Sequence, residues 1–455
     1  MNLESIKNNK LKMILQFSVP SIIAMVLTSL INIVDGIFTG NYVGSAGMSA
    51  IELGLPIIYL YLAVGLMISV GGISIAGRLY GAGDIDKARD VFNQTMTVCT
   101  IVSAVISIVI LVLIRPLVGL MGLNGDIAKL FTDYYLIMLI ELPIMIINSS
   151  LGMFIRGEGH PQFFMMTSIL TLIMNTVLDY LFAAVFRLGI KGIAFSSLIA
   201  SLAALVFNLI FIIRIAKIYQ FARFRFDGAV QKEMILNGSS EFIGEMTMFF
   251  SMSAYNYVIL SRFGINVLTA FTIVGFVSYI YSMIIIGFGQ GIIPLVSFVF
   301  GAHDRQTAIA IRRKTSFLVI GTAVVIMIIM LFVTDSYCSM FLSNQSIVSM
   351  ASRGILIDMI AFPFAGINCI ASMYFTSIGC AKESAIISSA RGLVILLIAI
   401  FVLPAIFGIT GLWIVSPVTE VSTIFITFYY LDVDRKRASG DLSIIGKNKK
   451  RAGRL

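Results

Sequence analysis

The chain has 455 residues, of which 58% are hydrophobic and 12% are charged. Soluble globular proteins carry about 25% charged residues, so the composition excludes that class and indicates a polytopic membrane protein. The formal net charge of +9 comes mainly from basic loops and a basic tail, which predicts a topology signal and no nucleic-acid partner.

Twelve apolar segments, each long enough to cross a bilayer, follow one another along the chain. The first comes after 13 polar and basic residues. It is too long for a signal-peptide core and lacks a small-residue cleavage site, so we expect it to be retained. The predicted fold is all-α, with twelve transmembrane helices. They begin near Ile14, Ile51, Ala88, Lys129, Pro161, Ile190, Leu236, Thr269, Ala308, Ile347, Glu383 and Gly411.

Basic residues are distributed unevenly between the two sides of this topology. With the N-terminus in the cytoplasm, 26 of the 32 Lys and Arg residues lie on or near the cytoplasmic side, as the positive-inside rule requires. We therefore expect both termini in the cytoplasm and the protein in a plasma membrane, specifically a bacterial inner or cytoplasmic membrane. The basic tail has two interpretations, contact with anionic lipid head groups or a solvated segment that only sets topology.

The two halves of the sequence repeat with an offset of 220 residues. Tyr61 matches Tyr281, and Gly71 matches Gly291. Each half holds an even number of spans, so the repeats are parallel and their pseudo-twofold axis follows the membrane normal. The predicted units are a first lobe at 1–218, a cytoplasmic linker at 219–234, a second lobe at 235–431 and the tail at 432–455.

The fifth apolar segment contains an amide and a carboxylate. Asn175 and Asp179 share one helix face, and Asp35 of the first helix and Ser196 and Ser197 of the sixth lie at a similar depth. A carboxylate near the centre of a transmembrane helix costs about 2.5 to 3.5 kcal/mol on insertion scales. Such a cluster suits a sodium ion or a proton, and a structural polar contact between helices is the alternative interpretation.

The second repeat lacks this cluster. The same offset carries Asp35 to Tyr255 and Asp179 to Ala399. If the carboxylates served only to fold a six-helix unit, both copies would be expected to need them. We therefore interpret the first lobe as the one that binds the coupling ion.

Other polar residues in the apolar segments are candidates for a substrate cavity between the lobes. We expect that cavity near the bilayer midplane, lined by the first, second, seventh and eighth helices. Arg391 has a second interpretation, because Glu420 in the next, antiparallel helix is placed to pair with it. The cavity candidates are Glu141, Glu241, Glu245, Asn256 and Arg391.

Three further residue types bear on the prediction. Pro20 removes a backbone hydrogen bond from the first helix and permits a kink there. The four cysteines have no metal-ligand spacing, and both histidines fall in hydrophilic connections. We therefore expect no disulfide framework, no metal centre and no histidine-based catalytic site.

In combination these motifs resemble the multidrug and toxic compound extrusion (MATE) family, from about Ile14 to Tyr430. The resemblance implies a V-shaped pair of six-helix lobes that exports organic cations in exchange for sodium or protons by alternating access. It rests on the 6+6 repeat and on Pro20, Asp35, Gly81-Ala82-Gly83-Asp84, Arg156-Gly157-Glu158-Gly159, Asn175 and Asp179.

The resemblance also assigns roles. It implies a secondary transporter rather than an enzyme, a monomer in the lipid bilayer, small-molecule substrates that are organic cations or amphiphiles, and no cofactor beyond coupling H+ or Na+. Glu245 looks like the helix 7 acid of the family's other sodium-coupled branch, but the stretch Ala361 to Tyr374 lacks that branch's helix 10 acid. Asp35, Asn175, Asp179 and Ser197 correspond to the first-lobe cation site, and Pro20 corresponds to a kink.

Other functions explain the sequence less well. A flippase of the same superfamily, for a lipid-linked sugar or peptidoglycan precursor, would want a cationic cavity for pyrophosphate, and Arg391 is essentially the one membrane-embedded cation. A membrane-embedded enzyme needs a nucleophile, base or metal constellation, and the sequence shows none. A scaffold that does not transport would not explain the two carboxylates.

Overall fold

The structure, a computed structural model, describes residues 1–341 and 344–439. Twelve long helices correspond to the predicted spans, and no β-strand occurs in these two ranges, so the all-α prediction is confirmed. Ten of the twelve are apolar enough to cross a membrane by composition alone, and α7 and α12 are long but more polar. The helices are α1 Lys10–Tyr42, α2 Ser45–Gly81, α3 Ile85–Leu120, α4 Gly125–Gly157, α5 Pro161–Val185, α6 Ile190–Arg214, α7 Gly228–Arg262, α8 Ile265–Gly301, α9 Arg305–Ser339, α10 Gln345–Ser377, α11 Ala381–Trp413 and α12 Val415–Ser439.

The turns of the two halves repeat as the sequence predicts. Gly44 and Gly264 follow the first helix of each half with φ of 87° and 83°. Gly189 and Gly408 precede the sixth helix of each half with φ of 62° and 60°. Glycine adopts such positive φ values without the cost that a Cβ would impose. Because Gly408 breaks the helical geometry inside the range of α11, the chain turns there toward α12.

The helices pack into two lobes, α1–α6 and α7–α12. In the first lobe α1 packs on α5, α5 on α6, α6 on α4, and α4 on α2 and α3. In the second lobe α8 packs on α9 and α10, and α7 and α12 both pack on α11. Between the lobes, α2 packs on α7 and α8, and α1 packs on α8. The four helices at the interface are therefore the ones predicted to line the cavity.

Helices α2 and α7 cross with their backbones almost touching. A Cβ added to Gly71 would lie 2.1 Å from the carbonyl oxygen of Met234, and one added to Gly238 would lie 1.8 Å from that of Met67. Real Cβ atoms do not approach other atoms so closely, so only glycine permits this crossing. Both contacts lie in the C-terminal half of α2 and the N-terminal half of α7, on the side of the membrane where α1 begins.

Helices α1 and α8 form the matching crossing. A Cβ on Gly287 would lie 2.5 Å from the Cα of Ile22, and one on Gly291 would lie 2.7 Å from the Cα of Ser18. These contacts lie on the same side of the membrane as the α2–α7 crossing. We call the two crossings together the terminal seal, defined by Ser18, Ile22, Met67, Gly71, Met234, Gly238, Gly287 and Gly291.

Polar bonds reinforce the terminal seal. Ser74 Oγ donates to the carbonyl oxygen of Thr376 at 2.6 Å, and Asn237 Nδ2 donates to Ser74 Oγ at 2.9 Å and to the same carbonyl at 2.8 Å. Nearby, Arg78 pairs with Glu233 at 2.8 Å. In the described ranges, every hydrogen bond and ion pair between the lobes lies on this side. Among the described residues, no hydrogen bond or ion pair joins the lobes through the halves of α1, α2, α7 and α8 beyond the seal, and we call the region between these halves the cleft.

A short N-terminal helix, Leu3–Asn8, also joins the two lobes. The terminal amine of Met1 donates to Tyr80 Oη at 2.6 Å in the first lobe, and Lys7 pairs with Asp304 at 3.0 Å in the second. Burial raises the pKa of Asp304, but the Thr307 N–H and the Lys7 ammonium lower it more. The net pKa lies below its ordinary value, so this ion pair persists at neutral pH. The sequence predicted only a polar, basic stretch here.

Two predicted segment boundaries differ from the helix ends in the structure. Helix α7 begins at Gly228, inside the range predicted as the linker. Helix α12 continues to Ser439, inside the range predicted as the tail. The rest of the basic tail, residues 440–455, lies outside the described residues.

Candidate functional site

The structure brings the four predicted cation-site residues together where α1, α5 and α6 pack. Ser197 Oγ donates to Asp35 Oδ2 at 3.3 Å, and Asn175 Nδ2 donates to Ser197 Oγ, also at 3.3 Å. Asn175 and Asp179 are completely buried, and the carboxyl groups of Asp35 and Asp179 interact directly. The structure therefore brings these four side chains together in the first lobe, and their role as a cation site stays a prediction.

Ser196 belongs to the same cluster. Its hydroxyl donates to Asp179 Oδ1, and it also lies 2.7 Å from the carbonyl oxygen of Ile193 one turn earlier in α6. Sequence analysis placed Ser196 at this depth but did not include it among the four site residues. The two neighbouring serines serve different carboxylates, Ser196 that of Asp179 and Ser197 that of Asp35.

Three buried oxygen atoms of this cluster have no hydrogen-bond donor. They are Asp35 Oδ1, Asn175 Oδ1 and Asp179 Oδ2. Buried acceptors without partners are uncommon in proteins and are costly to leave unsatisfied. Acceptor oxygens from two carboxylates and an amide provide what a hard cation requires, and a proton shared by the two carboxyl groups would also satisfy them. The cluster is thus chemically suited to take up one small cation.

The helix that carries Asp179 changes geometry directly after this residue. Helix α5 is α-helical from Pro161 to Asp179 and continues as a π-helix over Tyr180–Val185. A π-helical turn widens the helix by one residue and occurs frequently at functional sites. The second lobe has a π-helical segment in α11, Ala390–Val394, and this segment contains Arg391.

Glu141 lies inside the first lobe. It is 4% exposed, and Ser201 Oγ donates to its Oε1 at 2.6 Å. Both α4 and α6 belong to the first lobe, so this carboxyl group faces its own lobe's interior. The structure does not place it beside the other candidates for the cleft.

Glu241 and Glu245 lie on the interface helix α7. Both side chains are partly exposed, and neither has a hydrogen bond or ion pair among the described residues. Tyr59 of α2 interacts electrostatically with Glu245 and with Tyr279 of α8, so Glu245 lies near a residue of the first lobe. Asn256, also partly exposed, lies farther along α7. Two acids without an ion pair, with Tyr59 near Glu245, form a surface that attracts a cation.

Arg391 is paired, as its second interpretation predicted. Its Nη2 lies 2.7 Å from Glu420 Oε1, and its Nε lies 3.1 Å from the same oxygen. Asn368 Nδ2 donates to the other carboxylate oxygen of Glu420 at 2.7 Å. The arginine charge is therefore neutralised within the second lobe by α12.

Asp358 is a partly buried acid that sequence analysis missed. It lies in α10, and Ser278 Oγ of α8 donates to its Oδ2 at 2.5 Å. The stretch examined for a helix 10 acid began at Ala361, one turn too late. The 3-10 segment Met359–Ala361 that follows Asp358 had no signal in the sequence pattern.

The described residues contain neither a metal-binding cluster nor a disulfide. Over residues 1–341 and 344–439, no group of three or more His, Cys, Asp and Glu side chains is arranged to hold a metal. The four cysteines are free thiols, and three of them are buried.

Comparison with known proteins settles the family. The family model MatE matches residues 20–181 and 242–403, which together make up more than half of the 455 residues. The chain belongs to the MatE family. The two matches start in α1 and α7, so the model recognises both repeats. Proteins of the MatE family are secondary transporters and not enzymes, and the resemblance drawn from the sequence motifs is confirmed.

Relatives from bacteria match this MatE chain over most of its length. The multidrug export protein MepA of Staphylococcus aureus (strain MRSA252) is 24% identical over 408 residues, covering 89% of this chain and 90% of the relative. MepA of Staphylococcus saprophyticus is also 24% identical, over 419 residues, with the same coverage.

Solved structures share the fold. One described as the outward-facing conformation of a multidrug resistance MATE family transporter has a TM-score of 0.88 at 20% identity, covering 94% of this chain and 96% of that chain. A mutant of the Vibrio cholerae MATE transporter VcmN has a TM-score of 0.87 at 17% identity, covering 94% and 97%. The twelve-helix, two-lobe layout is thus that of the MatE fold.

Pro20 of this MatE protein lies at a buried position inside α1. It stands between Ser18 and Ile22, the two residues of α1 that touch the glycines of α8. Proline leaves the carbonyl one turn before it without its helical donor, so the missing bond falls near the terminal seal. The kink at Pro20 stays a prediction.

Proposed function

We propose that this protein is a multidrug efflux transporter that exports organic, mainly cationic compounds in exchange for H+ or Na+. The coupling ion binds at Asp35, Asn175, Asp179 and Ser197, with Ser196 holding the carboxylate of Asp179. The observation that carries this proposal is the convergence of three buried oxygens without donors in the first lobe. A structural polar contact would be expected to satisfy its own acceptors.

The cleft supplies the substrate side of the exchange. Glu241 and Glu245 lie on the interface helix α7 with Tyr59 of α2 near Glu245, and Arg391 is neutralised by Glu420. The field in the cleft is therefore negative, which favours organic cations over the pyrophosphate of a lipid-linked sugar. The name of the MepA relatives, multidrug export protein, agrees with this substrate class.

Alternating access follows from the terminal seal. With both termini in the cytoplasm, the terminal seal lies on the cytoplasmic side, and we propose that this arrangement is the outward-open state, in which substrate leaves and the coupling ion enters. Opening the terminal seal while the outer halves of α1, α2, α7 and α8 close would expose the same cleft to the cytoplasm. We propose a monomer in the bacterial cytoplasmic membrane as the working unit.

The test is transport by the purified protein in proteoliposomes. A proton gradient and a sodium gradient are imposed separately, and uptake of a fluorescent organic cation is followed. We expect one gradient to drive uptake and the Asp35→Asn and Asp179→Asn variants each to lose it. Because the two carboxylates act as a unit, the double variant should transport hardly less than either single variant.

The matched control is Asp133→Asn in the same lobe. Asp133 lies at the surface and pairs with Lys191 at 3.2 Å, so its loss should leave coupling intact. Binding of the fluorescent cation without a gradient shows that each variant is folded. Full gradient-driven transport by both Asp35→Asn and Asp179→Asn would return the pair to a structural role.

A further inference from the structure

The connection between the lobes is a segment of unusual composition that the transport proposal does not use. Helix α6 ends at Arg214 and helix α7 begins at Gly228. We call residues 214–227, from the last residue of α6 to the residue before α7, the interlobe linker. Because six helices precede it, it lies on the same side of the membrane as the N-terminus, where α6 leaves the bilayer and α7 enters it.

The first half of the interlobe linker is fastened to the first lobe. Glu158 Oε1 accepts hydrogen bonds from the backbone N–H groups of Ile218 and Tyr219, both at 2.7 Å. Asn93 donates to the carbonyl oxygen of Gln220 at 3.0 Å and accepts from the N–H of Ala222 at 2.9 Å. The linker therefore follows a defined path along the end of the first lobe that lies on the same side of the membrane as the N-terminus.

Four cations of the interlobe linker have no counter-charge. Arg214, Lys217, Arg223 and Arg225 are all exposed, and none forms an ion pair or side-chain hydrogen bond with any described residue. The one acid of the linker, Asp227, already accepts hydrogen bonds from the N–H groups that open α7. Exposed, unpaired cations in this number create a local positive field.

Aromatic side chains alternate with these cations. Phe224 is 42% exposed and Phe226 is 72% exposed, and neither stacks on another ring of the described chain. The stretch 220–227 has no helix. Along it Arg223, Phe224, Arg225 and Phe226 alternate in sequence and are all exposed.

This arrangement fits one environment, the head-group region of a lipid leaflet. Aromatic rings partition to the membrane interface, and basic residues beside a transmembrane helix attract anionic head groups. A soluble anion would use the arginines but would gain nothing from the two exposed rings. Both features lie at the level where α6 and α7 meet the membrane surface.

We infer that the interlobe linker is a binding site for anionic phospholipid. Arg223 and Arg225 bind the phosphate, and Phe224 and Phe226 insert at the boundary between the head groups and the acyl chains. Since the linker is fastened to the first lobe and continues directly into α7 of the second, a lipid bound there contacts the one covalent connection between the lobes. The site is distinct from the ion cluster and from the cleft.

Lipid binding by the full-length protein tests this inference. The purified chain in detergent is mixed with phosphatidylglycerol or, separately, phosphatidylcholine, and bound lipid molecules are counted by native mass spectrometry. We expect preferential retention of phosphatidylglycerol by the native chain and a several-fold loss in Arg223→Gln/Arg225→Gln. The preference should also weaken as salt rises, because the charges are exposed.

A matched pair of exposed cations provides the control. Arg313 and Lys314 of α9 are also exposed, and Arg313→Gln/Lys314→Gln removes the same charge elsewhere. Equal losses in both double variants, or none in the linker variant, would overturn the inference. Phe224→Ser/Phe226→Ser should lower phosphatidylglycerol binding with all charges kept. If Phe224→Ser/Phe226→Ser binds as much phosphatidylglycerol as the native chain, and glycerol phosphate displaces that lipid from the native chain, the ligand is a soluble anion and the inference fails.

Discussion

The polar residues buried in this membrane protein fall into two kinds. Some are paired, as Arg391 is with Glu420. Others keep acceptors without donors, as Asp35 and Asp179 do. Because both kinds cost energy to place in a membrane, we propose that Asp35 and Asp179 keep acceptors free for a ligand, whereas the Arg391–Glu420 pair stabilises the fold.

Glu245 is predicted to discriminate between substrates by charge. Glu245→Gln should weaken binding of a cationic dye roughly fivefold, as expected for the loss of a partly exposed ion pair worth about 1 kcal/mol. Binding of a neutral amphiphilic dye should not change, and fluorescence titration measures both affinities. The exposed acid Glu52 provides the control as Glu52→Gln. An equal loss of affinity for both dyes would show that Glu245 shapes the cleft but does not discriminate between substrates by charge.

Glu420 is predicted to stabilise the second lobe through Arg391. Glu420→Gln leaves a mostly buried arginine without its counter-charge, which costs about 3 kcal/mol, and should lower the melting temperature of the detergent-solubilised protein. Replacing both partners, Arg391→Met with Glu420→Met, removes the uncompensated charge and should recover most of the loss. If the double variant melts no higher than the single one, the pair does not act as an ion pair.

At the residue scale, the sequence predicted what depends on spacing along a helix. Asn175 and Asp179 are four residues apart, so their shared face follows from the helical period, and Ser197 followed from depth. Asp358 was missed because the searched stretch was placed one turn too late. The bonds of Ser74 and Asn237 in the seal depend on the crossing of α2 with α7, and no periodicity contains that information.

At the scale of helices, glycine decides how closely the lobes approach. Gly238→Ala should force α7 away from α2, because its Cβ would lie 1.8 Å from the carbonyl oxygen of Met67. Spin labels at Asp86→Cys and Lys382→Cys, exposed positions on the terminal side of opposite lobes, report the separation by pulsed electron resonance in a background without native cysteines. We expect a longer mean distance in Gly238→Ala.

The same helix offers the control for this substitution. A Cβ on Gly244 would have nothing within 4 Å, so Gly244→Ala should leave the label distance unchanged. A Gly238→Ala distance equal to that of the native chain would mean that the contact at Gly238 does not hold the lobes together.

Helix existence was predictable and helix detail was not. Ten of the twelve spans contain a long apolar run, which is the strongest signal a membrane sequence contains, and α7 and α12 are more polar. The π-helical turn after Asp179 has no such signal, because it adds one residue without changing composition. The N-terminal helix Leu3–Asn8 is too short for a periodic pattern, and its docking depends on Tyr80 and Asp304, which are distant in sequence.

At the scale of the whole molecule, α1 connects the two features that matter for transport. It carries Asp35 in the ion cluster and Ser18 and Ile22 in the terminal seal. A ligand that binds one state of α1 better than the other must shift the equilibrium between the two arrangements of the lobes. The coupling ion is therefore predicted to control the seal.

The same pair of spin labels measures this coupling. Saturating the native protein with the coupling ion should raise the population with the longer distance between positions 86 and 382. In the Asp35→Asn background the distance distribution should no longer respond to the ion. An unchanged response in that variant would show that the ion acts on the lobes from another site.

The chemistry of the terminal seal has a consequence for how easily the transporter turns over. The polar groups that reinforce the seal bond across the lobes: Ser74 Oγ donates to the carbonyl oxygen of Thr376, and Asn237 Nδ2 donates to Ser74 Oγ. When the lobes part, water molecules take over these bonds, and the net cost of exchanging each one is only about 0.5 to 1.5 kcal/mol. A wholly hydrocarbon barrier would lose about 25 cal/mol for every Å² it wetted. A gate closed by hydrogen-bonded polar groups and glycine contacts therefore costs less free energy to open than a hydrocarbon barrier of the same area.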